Sequence, residues 1–107
     1  MTSDSIYGTL NLLILKVLTE GAAHGLAVKQ RIEDLTGGQL NVGPGALYPA
    51  LHRLHHARLL TAEWGVSGKN RPAKIYRLTS KGQKRLQSEI RTWQRHIRSV
   101  KAVLDGT

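Results

Sequence analysis

Gly43-Pro44-Gly45-Ala46-Leu47-Tyr48-Pro49-Ala50-Leu51-His52-Arg53-Leu54 reads as a turn running into a helix with two unlike faces. Leu47, Leu51 and Leu54 fall at i, i+4 and i+7 and make one apolar stripe. The opposite side carries Gly45, Pro49, His52 and His56, flanked by Tyr48 and Arg53. Three leucines would anchor such a helix while its polar face enters a groove; an ordinary amphipathic surface helix shows the same pattern. Pro49 lacks an N–H and fits only a first helical turn without cost. The regular helix therefore begins near Ala46, or begins at Pro44 and bends at Pro49, and it should end near Ala57-Arg58.

The residues that follow favour the first reading. Leu59 to Trp64 alternates weakly, residues 65–70 are turn-like, and Lys74 to Leu78 alternates clearly, with Tyr76 sharing a face with Lys74 and Leu78. A two-stranded hairpin with a basic tip of Lys69, Arg71 and Lys74 is expected, and Pro72 marks its strand as an edge. Thr79-Ser80 then caps a long final helix. Its apolar residues Leu86, Ile90, Trp93, Ile97, Val100 and Leu104 are spaced 4, 3, 4, 3, 4, which is a heptad seam. Such a seam needs a partner. Either the chain's own first helix or a second copy would serve, and the narrowness of the stripe favours a homodimer.

Upstream lie two further helices. Ile6, Leu10, Leu12 to Leu15, Val17 and Leu18 cover most of a helix circumference, so this first helix should be contacted from several sides. The polar residues 1–5 ahead of it are expected to fray. Gly21 stops the first helix. His24, as a structural hydrogen-bonding residue, opens a second helix whose buried side is Leu26, Val28, Ile32 and Leu35, and Gly37-Gly38 ends it.

Length and charge bound the function. The chain has 107 residues, enough for one domain with a modest core. It has no cysteine, which removes disulfides, thiolate metal sites and cysteine nucleophiles. No apolar run reaches the roughly 20 residues of a membrane span. No basic region precedes the first apolar run, so no signal peptide is expected and the expected location is cytoplasmic. Residues 1–66 hold five basic and five acidic side chains, whereas residues 67–107 hold eleven basic ones against Glu89 and Asp105. The whole net charge of +9 therefore lies in the C-terminal part, which points to a polyanion as partner. A membrane-surface helix would need a broad apolar face, and the final helix has a narrow one.

Three helices, a hairpin and a last helix make a mainly α chain in the order of a winged helix-turn-helix. The DNA-binding unit would span residues 1–78 and the dimerisation helix residues 79–107, within one compact domain. The expected contacts with double-stranded DNA are Gly45, Ala46, Tyr48, Pro49, His52 and Arg53 on the third helix, and Lys69, Asn70, Arg71 and Lys74 on the wing. His52 and His56 stand at i, i+4, a spacing that can hold a metal. No carboxylate or cysteine accompanies them, so neither a metal nor another cofactor is expected. No paired carboxylates, nucleophile elbow or phosphate-cradling loop supports an enzyme.

Particular words strengthen this reading. Gly8-Thr9-Leu10-Asn11-Leu12-Leu13-Ile14-Leu15, His24-Gly25, Pro44 to Leu54, Glu63-Trp64-Gly65, and Ala73-Lys74-Ile75-Tyr76-Arg77-Leu78-Thr79-Ser80-Lys81-Gly82 together resemble the PadR family of bacterial transcriptional regulators over nearly the whole chain. The resemblance implies a DNA-binding repressor, a homodimer, with the third helix and the wing on DNA. It also implies the short branch of the family, with a single C-terminal helix. In that branch a tryptophan on this helix can line a pore between protomers and stack a planar aromatic effector, which points to Trp93. Two departures stand out. Leu26 replaces the Tyr or Phe that usually follows His-Gly, read here as a core change. His55-His56-Ala57-Arg58 replaces acidic residues followed by glycine, so Arg58 must adopt a costly conformation or the helix must end differently. The competing function is a non-specific architectural nucleic-acid-binding protein.

Overall fold

A computed structural model describes the backbone of residues 2–106 and the side chains of residues 9–106. Helix α1 (Thr2–Val17) runs into a 3-10 turn, Leu18–Glu20, that stops at Gly21. A short strand β1 (Ala23–His24) leads directly into α2 (Gly25–Leu35). Helix α3 (Pro44–His56) follows, then the hairpin strands β2 (Leu60–Val66) and β3 (Pro72–Leu78), and finally α4 (Ser80–Leu104). Regular helix begins at Thr2, so α1 takes in the polar residues that precede its apolar run. Ile6, expected on the apolar surface of α1, lies outside the described side chains.

The core gathers on α1. Leu10, Ile14, Leu15 and Val17 pack with Val28 and Ile32 of α2, with Leu47, Ala50, Leu51 and Leu54 of α3, and with Leu59, Leu60, Tyr76 and Leu86. Helices α2, α3 and α4 all lie against α1, as its nearly continuous apolar surface requires. Two residues assigned to the buried side of α2 are exposed instead. The buried line is Gly25, Val28 and Ile32; Leu26 sits about 100° around the helix from Gly25, and Leu35 is the last helical residue. Leu26 is thus no core change, because its position faces outward.

The sheet has three strands in the order β1-β3-β2, all antiparallel. The hairpin was legible; the third strand was not. Ala23 pairs with Tyr76 and His24 with Ile75, so β3 is central where it meets β1. Pro72, read as the mark of an edge strand, lies beyond the reach of β1 and opposite Val66, where only one side of β3 is paired. The edge character is therefore local to that end of the strand.

The helix ends are held by side chains as well as backbone. His24 caps α2, its Nδ1 accepting from the Ala27 N–H at 3.2 Å. Arg31 of α2 donates to the carbonyls of Val17 and Gly21 at 3.1 and 2.9 Å, placing a cation at the C-terminal end of α1. Helix α3 ends in a Schellman arrangement: Arg58 N–H bonds to His55 O and Leu59 N–H to Leu54 O, with Arg58 at φ 65° where glycine is usual. Of the two outcomes the sequence left open, a costly conformation at Arg58 or a different helix end, the first is observed. Lys81 donates to the Ala57 carbonyl at 3.0 Å, so this lysine of the basic half caps α3. Thr79 caps α4 by accepting from the Gly82 N–H at 2.9 Å, and its hydroxyl donates to the Arg58 carbonyl at 2.8 Å.

Candidate nucleic-acid interface

Helix α3 starts at Pro44, the second of the two starts allowed by the sequence, with Gly43 as its N-cap and Pro49 inside it. Pro49 donates no hydrogen bond to the Gly45 carbonyl, a defect tolerated because both residues face solvent. Leu47, Ala50, Leu51 and Leu54 anchor the helix. The other face presents Gly45, Tyr48, Pro49, His52, Arg53 and His56 to solvent, while Ala46 and His55 are half-buried, Ala46 against the core. Tyr48 leans over the first turn of α2, where a Cβ added at Gly25 would lie 2.6 Å from Tyr48 Cε1. Glycine at this position leaves room for the phenol to lie against α2, at the end of α3 nearest the wing.

The hairpin rises beside this helix. Ser67 N–H bonds to Arg71 O at 2.8 Å and Asn70 N–H to Ser67 O at 2.9 Å. Asn70 takes the left-handed conformation, φ 59°, that asparagine tolerates. Its first task is thus the turn itself, with its side chain left exposed. Lys69, Arg71 and Lys74 are exposed, and no carboxylate pairs with them among the described residues. Between the wing and the start of α3 lies a cleft of about 450 Å³. Tyr48, Lys69, Arg71 and Lys74 all line it, so residues separated by about twenty positions in the chain meet on one open face. Burial raises the phenol of Tyr76, at the floor of this cleft, above its ordinary 10.0, and the Tyr48 phenol adds to the rise. Tyr76 therefore stays a neutral hydroxyl at physiological pH.

Leu26, Trp64 and Pro72 also line the cleft, although the sequence reading placed none of them on a binding face. Trp64 was legible as part of a weakly alternating strand and of the Glu63-Trp64-Gly65 word, with no contact assigned to it. Its place opposite Lys74 follows from the β2–β3 register. His52, His55 and His56 remain together at the far end of α3, and no group of three metal-ligating side chains occurs among the described residues.

The six seam residues of α4 divide. Leu86 is 1% exposed and belongs to this protomer's own core, so it is not available to a second copy. Ile90 is half-buried against the same core. Trp93, Ile97, Val100 and Leu104 are exposed, from 38% at Trp93 to 79% at Leu104. They line a groove of about 310 Å³ along the helix, with the Trp93 and His96 rings 6.0 Å apart. The radius of gyration, 15.0 Å, exceeds the roughly 13 Å of a globule this long, because the end of α4 projects.

Residues 14–88 match the model of the transcriptional regulator PadR-like family. The chain is 35% identical over 81 residues to the transcriptional regulator YqjI of Escherichia coli, covering 76% of this chain but only 37% of that protein. Among solved structures it is similar to a PadR family transcriptional regulator from Eggerthella lenta, with 30% identity and a TM-score of 0.83 over 100% of this chain and 91% of that one. It also shares its fold with Bacillus subtilis PadR, solved in complex with operator DNA, at 23% identity and a TM-score of 0.68 over 77% of this chain and 46% of that one.

Proposed function

The chain belongs to the PadR-like family of transcriptional regulators, and on that footing we propose that it is a homodimeric repressor that binds double-stranded DNA sequence-specifically. The observation that carries the reading is the single open face shared by α3 and the wing, with Tyr48, Lys69, Arg71 and Lys74 around one cleft and no acidic residue in its lining. Helix α3 enters the major groove and supplies the base contacts, with Tyr48, His52 and Arg53 foremost. The wing cations hold phosphates, which fix orientation and carry no sequence information. The operator-bound B. subtilis PadR has the same fold, which supports this docking. The protein acts in the cytoplasm, where its operator lies.

Salt titration of DNA binding tests the reading. Six to ten neutralised phosphates per dimer give a slope of log K against log salt of about −5 to −9. Lys69→Ala should weaken all duplexes alike and make the slope shallower, whereas Tyr48→Ala should also reduce the preference for a selected duplex over random DNA. A slope near zero excludes nucleic acid as the partner. Equal affinity for selected and random DNA would instead favour the architectural reading.

The second copy docks on the exposed part of α4, through Trp93, Ile97, Val100 and Leu104, with half-buried Ile90 at its edge. Two Trp93 side chains facing each other across the two-fold axis make a slot for a planar aromatic effector. An effector that prefers a dimer with altered spacing of its α3 helices must weaken DNA binding by the same coupling free energy. Planar dyes titrated against the protein should therefore quench emission, and Trp93→Phe should abolish most of the quenching, although Trp64 remains. Quenching that persists unchanged in Trp93→Phe would reduce Trp93 to packing.

A further inference from the structure

The register of the wing carries an inference about Trp64. Cross-strand partners share a sheet face, so Ala62 and Tyr76, Trp64 and Lys74, and Val66 and Pro72 form three successive pairs on one face. At the first pair this face is core: Tyr76 is 7% exposed. At the next two it has left the core: Trp64 is 72% and Val66 62% exposed, opposite exposed Lys74 and Pro72. The opposite face carries Glu63 and Arg77, an exposed ion pair at 3.9 Å. That face also carries Ile75, but half-buried, so the large exposed apolar side chains of the hairpin, Trp64 and Val66, both lie on the first face, beyond the point where the protein covers it.

The rest of the cleft limits what can cover Trp64. Half-exposed Leu26 and Tyr48 belong to the same lining, and its charged groups are the cations Lys69, Arg71 and Lys74. An occupant must be anionic and must also offer apolar surface between its charges. A DNA strand alternates phosphates with deoxyribose rings and meets both conditions. We propose that Trp64 is a non-ionic DNA contact, its indole packing on a deoxyribose of the strand that crosses the cleft while the wing cations hold the flanking phosphates. The proposal rests on the DNA-binding reading above and adds to it a contact that neither reads bases nor releases counterions. Trp64 supplies affinity that salt does not screen, and it sets how deeply the backbone sits between α3 and the wing.

Fluorescence and salt titration of the dimer test this contact together. The chain has two tryptophans, so Trp64 is the sole one in Trp93→Phe. Saturating duplex DNA should shift the Trp64 emission to the blue and cut acrylamide quenching severalfold. With Trp93 retained, Trp64→Ala should weaken selected and random duplexes alike by about tenfold, leave the salt slope unchanged, and be largely rescued in Trp64→Phe. Normal salt-dependent binding with unchanged acrylamide access to Trp64 would overturn the proposal and leave the DNA-binding reading standing. So would a loss confined to the selected duplex, which marks a base contact, or a shallower salt slope, which marks an effect through the wing cations. Absence of salt-dependent binding in the parent protein would overturn both. Where Trp64→Ala does not fold, the quenching measurement on Trp93→Phe decides alone.

Discussion

Ile97→Asp is expected to turn the dimer into monomers and to lower DNA affinity at least a hundredfold. Ile97 lies in the middle of the exposed part of the α4 seam, between Trp93 and Val100. Each large apolar side chain buried there by a second copy contributes about 1.5–3 kcal/mol. A carboxylate at this position removes that contribution twice, once per protomer, and must be desolvated to enter the seam, a cost that an ion pair with Lys101 one turn away offsets only in part. The loss on DNA is larger than any one contact explains, because joining two half-site readers raises avidity by roughly 10²- to 10⁴-fold. Ile97 is outside the protomer's own core, so helical content should be retained. Sedimentation and far-UV circular dichroism on the same sample separate the two effects. An unchanged dimer would place the interface elsewhere on the chain.

Gly82→Ala is expected to destabilise the fold by about 3 kcal/mol, at the upper end of overpacking costs. In a domain of this size that lowers Tm by roughly 12–24 °C. Helix propensity alone gives the opposite sign, since alanine is favoured over glycine within a helix by up to about 1 kcal/mol. Position decides. A Cβ at Gly82 would run into the backbone carbonyl oxygen of Leu59 and would crowd Leu78 Cδ1 at 2.7 Å. The carbonyl cannot step aside, because Leu59 O also accepts from the Thr79 N–H at 3.1 Å. Gly68→Ala is the control, since nothing lies within 4 Å of a Cβ added in the wing turn. Equal melting temperatures for the two variants would show that the start of α4 can move away from β2.

Much of the architecture was legible because its signals are local. The i, i+4, i+7 leucines of α3, the proline and glycine before it, the alternation around Tyr76 and the Thr79 cap each report on their own few residues. They placed the elements in order, and the order implied a winged helix. The capping role of His24 and the left-handed Arg58 were readable for the same reason. Both depend on residues within one helical turn.

Charge distribution is likewise a property of the sequence, and it places the whole net positive charge in residues 67–107. It did not say which cations are available. Lys81 caps α3, while Lys69, Arg71 and Lys74 stay exposed, a division set by which helix end each can reach.

What the tertiary structure alone decided depends on residues far apart in the chain. Strand β1 is two residues long and pairs with residues more than fifty positions away, so it has no period to read. Leu26 was assigned inward on its apolar character, yet the line of contact with α1 runs through Gly25, Val28 and Ile32. The cleft that unites Tyr48 with the wing cations, and the exposure of Trp64 within it, follow from sheet register and helix docking together. The α4 seam shows the distinction most plainly. Its heptad spacing is unbroken from Leu86 to Leu104, and the sequence fixes it as one apolar stripe. The packing of α4 on α1 buries Leu86 in the chain's own core, half-covers Ile90 and leaves Trp93, Ile97, Val100 and Leu104 exposed. Periodicity determines which face of a helix is apolar, because that is set by 3.6 residues per turn. What covers the face is set by whichever distant element docks there, and a local pattern holds no record of that.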